Sequence, residues 1–103
     1  MGFYDFIAGT DSKLAEAELL YNEGLYEEAL EKIELDNVNS YLMSKENYIK
    51  TLFLSAKCWN ELGDYDSAIR ILNLIIDDPE GNNKYMSRAE ALIKKIKSSL
   101  DGE

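Results

Sequence analysis

The sequence predicts an all-α fold of about five helices arranged as hairpins, and three observations carry that expectation. Apolar residues recur three and four positions apart along most of the chain, the spacing that places them on one face of a helix. A single proline, Pro79, stands among 103 residues, far from the turn-rich composition of a β protein. Finally, sliding the chain by 39 residues superimposes GLYEEALEKI (24–33) on GDYDSAIRIL (63–72), and so reveals an internal repeat. Gly24 meets Gly63, Tyr26 meets Tyr65, Ala29 meets Ala68, Leu30 meets Ile69 and Ile33 meets Leu72, while upstream Ala17 meets Ala56 and Leu20 meets Trp59.

At this length the chain holds one domain with a modest core. Its 46% apolar and 30% charged residues are those of an ordinary globular chain. The expected organisation is an apolar N-terminal segment (1–9), one helical domain (10–100) and a short tail (101–103). Within the domain, repeat one spans about 10–38, repeat two about 44–80, and a last helix about 83–100.

The N-terminal segment GFYDFIAG places Phe3, Tyr4, Phe6 and Ile7 close together, a density of apolar surface that calls for a covering. We expect it to pack on the helix layer, in one protomer or across a dimer. In repeat one, Tyr26, Ala29, Leu30 and Ile33 form an inner stripe, with Glu27, Glu28, Glu31 and Glu34 outside it. In repeat two, Ile49, Leu52, Ala56 and Trp59 make one stripe and Tyr65, Ala68, Ile69, Leu72, Ile75 and Ile76 another. Between these, Gly63 can take the left-handed conformation that ends a helix, and Asp64 can cap the next. Tyr41, Met43, Tyr48 and Leu52 give no stop signal, so the first helix of repeat two is expected to begin upstream, near Ser40. Ile71 and Leu74 add a second apolar face to the helix over 65–77, which predicts neighbours on both of its sides. The last helix has one apolar stripe, Tyr85, Ala89, Leu92, Ile93, Ile96 and Leu100, and turns Lys84, Arg88, Lys95 and Ser98 to water, as the end of a stacked array should.

Charge narrows the classes of function. The net charge of −9 is concentrated in residues 1–40, where ten carboxylates face only Lys13 and Lys32. Phosphate backbones and anionic membrane surfaces would be repelled by that half, so neither nucleic acid nor membrane is an expected partner. No apolar run approaches the length of a membrane span, and no basic residue precedes Lys13 as a secretory signal requires. Gly2 is a poor myristoylation site, because Phe6 stands where that signal needs Ser or Thr. Cys58 is the only cysteine and lies within an apolar helical stretch, which points to a buried free thiol and a reducing, cytoplasmic setting.

Enzymatic chemistry has little to draw on. The absence of histidine removes triads and the common zinc sites, and no glycine-rich phosphate loop is present. Asp64 and Asp66 lack the glycine and bidentate glutamate of a calcium loop and are read as turn carboxylates. The sequence thus predicts no catalytic residue, no metal and no cofactor.

The small residue of a first helix, the glycine turn, the run GDYDSAI and Pro79 soon after the second helix together resemble the tetratricopeptide repeat. The resemblance covers about residues 10–100, two repeats and a capping helix, and departs from the usual pattern in its 39-residue period, in Asp36 and in the lack of a proline closing the first copy. It implies a right-handed helical-hairpin array and a non-enzymatic adaptor that binds a protein segment in a concave groove of first helices. The corresponding groove positions are Leu14, Glu18, Tyr21 and Asn22 in the first copy, and Lys50, Phe53, Lys57, Asn60 and Glu61 in the second. The last helix contributes Met86, Glu90 and Lys94. Phe53 stands off its helix's inner stripe and is read either as an apolar anchor in the groove, with Tyr21 beside it, or as packed inside. Lys50, Lys57 and Asn60 would then rim a pocket for a peptide carboxylate. Leu14, Glu18 and Leu54 occupy places where the chaperone-binding subclass needs other residues, which argues against that subclass.

Two other functions fit the charge pattern. The carboxylates Glu23, Glu27, Glu28, Glu31 and Glu34, with Asp36, could block a basic cleft of a nucleic-acid-binding partner by mimicry. Alternatively, the acidic N-terminal half and the basic last helix could join copies of the chain head to tail, making it a structural self-association module.

Overall fold

The computed structural model describes residues 14–37, 45–78 and 83–101, and the side chains of all of these except 34–37, 45, 83 and 101. The chain is all-helical. Helix α1 covers 14–22; α2 is Tyr26–Asn37, α3 Lys45–Glu61, α4 Tyr65–Ile76 and α5 Asn83–Asp101. Successive helices pair as hairpins, α1 with α2 and α3 with α4, and α5 then lies on α4 and touches α3. The expected packing of the N-terminal segment and the upstream start of α3 near Ser40 fall outside the described residues.

The two repeats turn in the same way. Gly24 and Gly63 have φ of +83° and +86°, a conformation a Cβ would strain. In the first turn the Leu25 amide donates to the Leu20 carbonyl (2.9 Å) and the Gly24 amide to the Tyr21 carbonyl (3.0 Å). In the second, Asp64 donates to Trp59 (2.9 Å) and Gly63 to Asn60 (3.1 Å), each residue 39 positions on from its counterpart. This paired pattern is the Schellman motif, which satisfies carbonyls that the end of a helix leaves open. The copies differ at the next residue: Asp64 caps α4 by accepting from the Ser67 amide (3.1 Å), whereas Leu25 offers no side-chain acceptor to α2.

Among the described residues, two apolar clusters fill the interior, and α3 serves both. Ile49, Leu52 and Ala56 on one face of α3 meet Ala68, Leu72 and Ile75 of α4 and Tyr85, Ala89 and Ile96 of α5. Leu54 and Cys58 on another face meet Leu14, Ala17, Ala29, Leu30 and Ile33 of the first hairpin. Half-buried Trp59 packs against both clusters and ties them together. The four alanines paired by the repeat, Ala17 with Ala56 and Ala29 with Ala68, are fully buried, because a methyl group is all that the close approach of helices in each hairpin leaves room for.

The doubly apolar helix is therefore α3 in a sense the sequence did not suggest. Thr51, Leu54, Ser55 and Cys58 form a second buried stripe, two of whose members carry hydroxyls. The Thr51 hydroxyl is satisfied locally, donating to the Asn47 carbonyl at 2.8 Å, so its burial leaves no polar group unpaired. Helix α4 has neighbours on both sides, α3 and α5, but Leu74 is not what meets them: it is 55% exposed. Leu100, expected to close the stripe of α5, is 47% exposed, and the buried stripe ends at Ile96.

Candidate functional site

Three helices converge on one concavity of about 320 Å³. Helix α1 supplies Glu18, Tyr21 and Asn22; α3 supplies Lys50, Phe53, Leu54 and Lys57; α5 supplies Tyr85 and Arg88. The spacing i, i+3, i+4, i+7 of the α3 residues puts them in one line along that helix, beside its core faces, with Leu54 shared with the second of these. Six of the residues expected to line a groove thus come together: Glu18, Tyr21, Asn22, Lys50, Phe53 and Lys57.

Aromatic rings and cations interleave across the floor. Phe53 meets Tyr85 edge-on, with ring centres 6.1 Å apart and planes at 64°. Tyr21 leans on Tyr26 at 5.3 Å. The Lys57 ammonium sits 4.7 Å from the centre of the Tyr21 ring and 5.5 Å from that of Phe53, so the two rings hold the cation between α1 and α3 by their quadrupoles. On the α5 side, the Arg88 guanidinium lies 5.4 Å and the Lys84 ammonium 5.7 Å from the centre of the Tyr85 ring. Lys50 pairs with Glu46 one turn earlier at 3.7 Å. The lining residues thus bring three cations, one of them paired with Glu46, and one carboxylate, Glu18, an excess of positive charge on a strongly negative chain.

Phe53 answers both sequence readings at once: it is half-buried, packed on the α3–α4–α5 cluster, and lines the concavity with its remaining face. Burial and, next, the Glu61 charge raise the Tyr21 hydroxyl above its ordinary pKa, so it stays a neutral donor. The Tyr26 hydroxyl is raised as well, by desolvation and then by the Glu61 charge and a hydrogen bond it donates to that carboxylate. Cys58, behind the floor, is fully buried, and its thiol is pushed up to about 11, chiefly by burial. It is protonated at neutral pH and unfit as a nucleophile.

Other expected positions lie elsewhere. Leu14 does not line the concavity: at 6% exposure it belongs to the core of the first hairpin, because its face of α1 is the one that α2 and α3 cover. Asn60 and Glu61 line a separate hollow with Tyr65, Lys95, Ile96 and Ser99, at the end of α3 where it nears α5. Half-buried Met86 and exposed Glu90 and Lys94 lie on α5 outside the concavity. The α5 contribution is made by Tyr85 and Arg88, one or two positions away, because the stripe residue Tyr85 ends α5's buried face at the rim. The spacing of Tyr85 and Arg88 was a legible signal: an aromatic and a cation three apart on a helix share a face.

Of the acidic residues, Glu23, Glu27, Glu28 and Glu31 are exposed, and the side chain of Glu34 lies outside the described residues. Glu27 and Glu31 border a second cleft, of about 450 Å³, completed by Leu30, Trp59, Leu62 and Asp64. Among the described residues, no group of three or more carboxylates or thiols is placed to hold a metal ion, and no helix is long and apolar enough to cross a membrane. In comparisons with protein-family models, with curated proteins and with solved structures, nothing matches this chain.

Proposed function

We propose that this chain is a tetratricopeptide-type interaction module, a non-enzymatic adaptor that holds a protein segment in the concavity between α1, α3 and α5. The observation that carries the reading is the convergence of Tyr21, Phe53 and Tyr85 with Lys50, Lys57 and Arg88 on one concave surface. Aromatic anchors beside cations are the usual composition of strong points in protein interfaces. The repeated Schellman turns and the four buried alanines support the repeat assignment. Phe53 and Tyr21 provide apolar contact, while Lys50, Lys57 and Arg88 favour a segment that carries a carboxylate next to its apolar side chain. Because Lys57 is already fixed between two rings, little further ordering is required of it on binding. A surface this small holds a lone peptide at roughly micromolar affinity. A protonated, buried single thiol suits a reducing cytoplasm.

Selection from a displayed library of random peptides tests the reading. Peptides that pair an aromatic or aliphatic residue with Asp or Glu should be enriched on the wild-type protein and lost on the Phe53→Ala, Lys57→Glu double variant. Enrichment of the same peptides on both proteins would refute it, provided circular dichroism shows the variant folded.

A further inference from the structure

The cleft between α2 and the C-terminal end of α3 has the opposite character. Glu27, Leu30 and Glu31 reach it from α2, Trp59 from the last turn of α3, and Leu62 and Asp64 from the turn into α4. Its floor is apolar: Leu30 is buried, Trp59 half-buried, and Leu62 is 39% exposed in a turn that has no need of a leucine. Its rim is entirely acidic. Asp64 is engaged in capping α4, but Glu27 and Glu31, one turn apart on the same face of α2, form no ion pair with any described residue. The nearest cation on α2, Lys32, is drawn instead to Glu16 of α1 at 3.1 Å.

We infer that this cleft is a second docking surface, one that takes a cationic amphipathic segment of another protein, with an apolar side chain on the Trp59–Leu62 floor and Arg or Lys at Glu27 and Glu31. Charge complementarity selects that occupant. The rim offers only carboxylates, the surrounding N-terminal half carries most of the net charge of −9, and the Trp59 ring gives an added contact for a guanidinium. A second copy is the poorer occupant even though α5 is rich in lysine, because each copy brings its own net charge of −9. Mimicry of a phosphate backbone would want an even field of carboxylates, whereas here an apolar floor lies between them. With a groove lined by Lys50, Lys57 and Arg88 on one side of α3 and this cleft on another, beside its C-terminal end, the chain can join an acidic segment and a basic one.

Trp59 is the only tryptophan, so its emission reports directly on the cleft. The probe is an amidated amphipathic peptide of leucine and arginine, titrated alongside a leucine–glutamate peptide of the same pattern and an arginine–serine peptide without leucine. A saturable change in emission is expected with leucine–arginine alone. It should weaken by about tenfold in Glu27→Gln/Glu31→Gln and again in Leu62→Ser, exposed positions whose substitution leaves both core clusters intact. Lys57→Glu, in the other groove, should leave it unchanged. The proposal is overturned if leucine–arginine gives no saturable change, if arginine–serine binds equally well, or if the cleft variants bind like wild type. It is also overturned if Lys57→Glu alters binding, or if emission shifts with protein concentration alone, which would mean a second copy in the cleft.

Discussion

Single residues fix the turns of this molecule, and their energies can be measured one at a time. Gly63 has positive φ with nothing within 4 Å of where a Cβ would stand, so Gly63→Ala meets no neighbour and its cost is purely that of the backbone conformation. Urea denaturation should show a loss of about 1 kcal/mol. Asp64→Ala should lose a similar amount, about 1 kcal/mol, because the Ser67 amide loses its acceptor. Leu25→Asp, by placing an acceptor at the matching site before α2, should add stability, since the first repeat lacks what the second has.

Cys58 sets a pH dependence of definite sign. Its folded pKa of about 11 lies above the ordinary 9.0, so between these values the folded chain keeps a proton that the unfolded chain releases. The thiol's contribution is therefore complete below pH 9.0 and is lost as pH rises through about 11. Relative to Cys58→Ala, wild type should become progressively less stable across that window; a constant difference from pH 8 to 11 would contradict the assignment. At pH 8 a disulfide reagent should modify Cys58 only as fast as the protein opens.

Among the elements, α3 determines how the molecule is assembled, and it was the element least legible in advance. The repeat, the glycine turns, the Asp64 cap and the buried thiol were all legible, because each is a local signal: a residue type with a conformational need at a fixed spacing. The second core face of α3 was concealed by Thr51 and Ser55, hydroxyl residues that count as polar in a periodicity but are buried here, the threonine bonding within its own helix. Leu74 erred the other way, apolar in sequence yet exposed, since periodicity cannot say which of two apolar faces finds a partner. Glu18, Tyr21, Asn22, Lys50, Phe53 and Lys57, which follow the repeat, come together in the concavity; Leu14, Asn60 and Glu61 of the same pattern lie elsewhere, Leu54 was not among the expected groove positions, and Tyr85 and Arg88 belong to a helix outside the repeat. The assembly through α3 predicts that Leu54→Ala, in one cluster, and Leu72→Ala, in the other, each cost about 2–5 kcal/mol. Thermal unfolding of both should remain a single transition, because Trp59 and α3 couple the clusters; two separate transitions would show that the hairpins fold independently.

At the scale of the whole molecule, the division of charge is the property that most constrains function. A chain with net charge −9 nonetheless gathers Lys50, Lys57 and Arg88 around three aromatic rings, and keeps Glu27 and Glu31 of α2 without an ion pair among the described residues, at a cleft beside the C-terminal end of α3. At the two proposed surfaces, charges of opposite sign would orient partners before contact and make each association sensitive to salt. The concavity formed by α1, α3 and α5 is the proposed binding surface. The most direct test is affinity capture from a lysate of the source cell, with partners identified by mass spectrometry for wild type and for the folded Phe53→Ala, Lys57→Glu double variant. Under the proposed function a partner is captured by wild type and lost by the variant. Retention of the same partner by the variant would contradict it and move the binding surface elsewhere on the molecule.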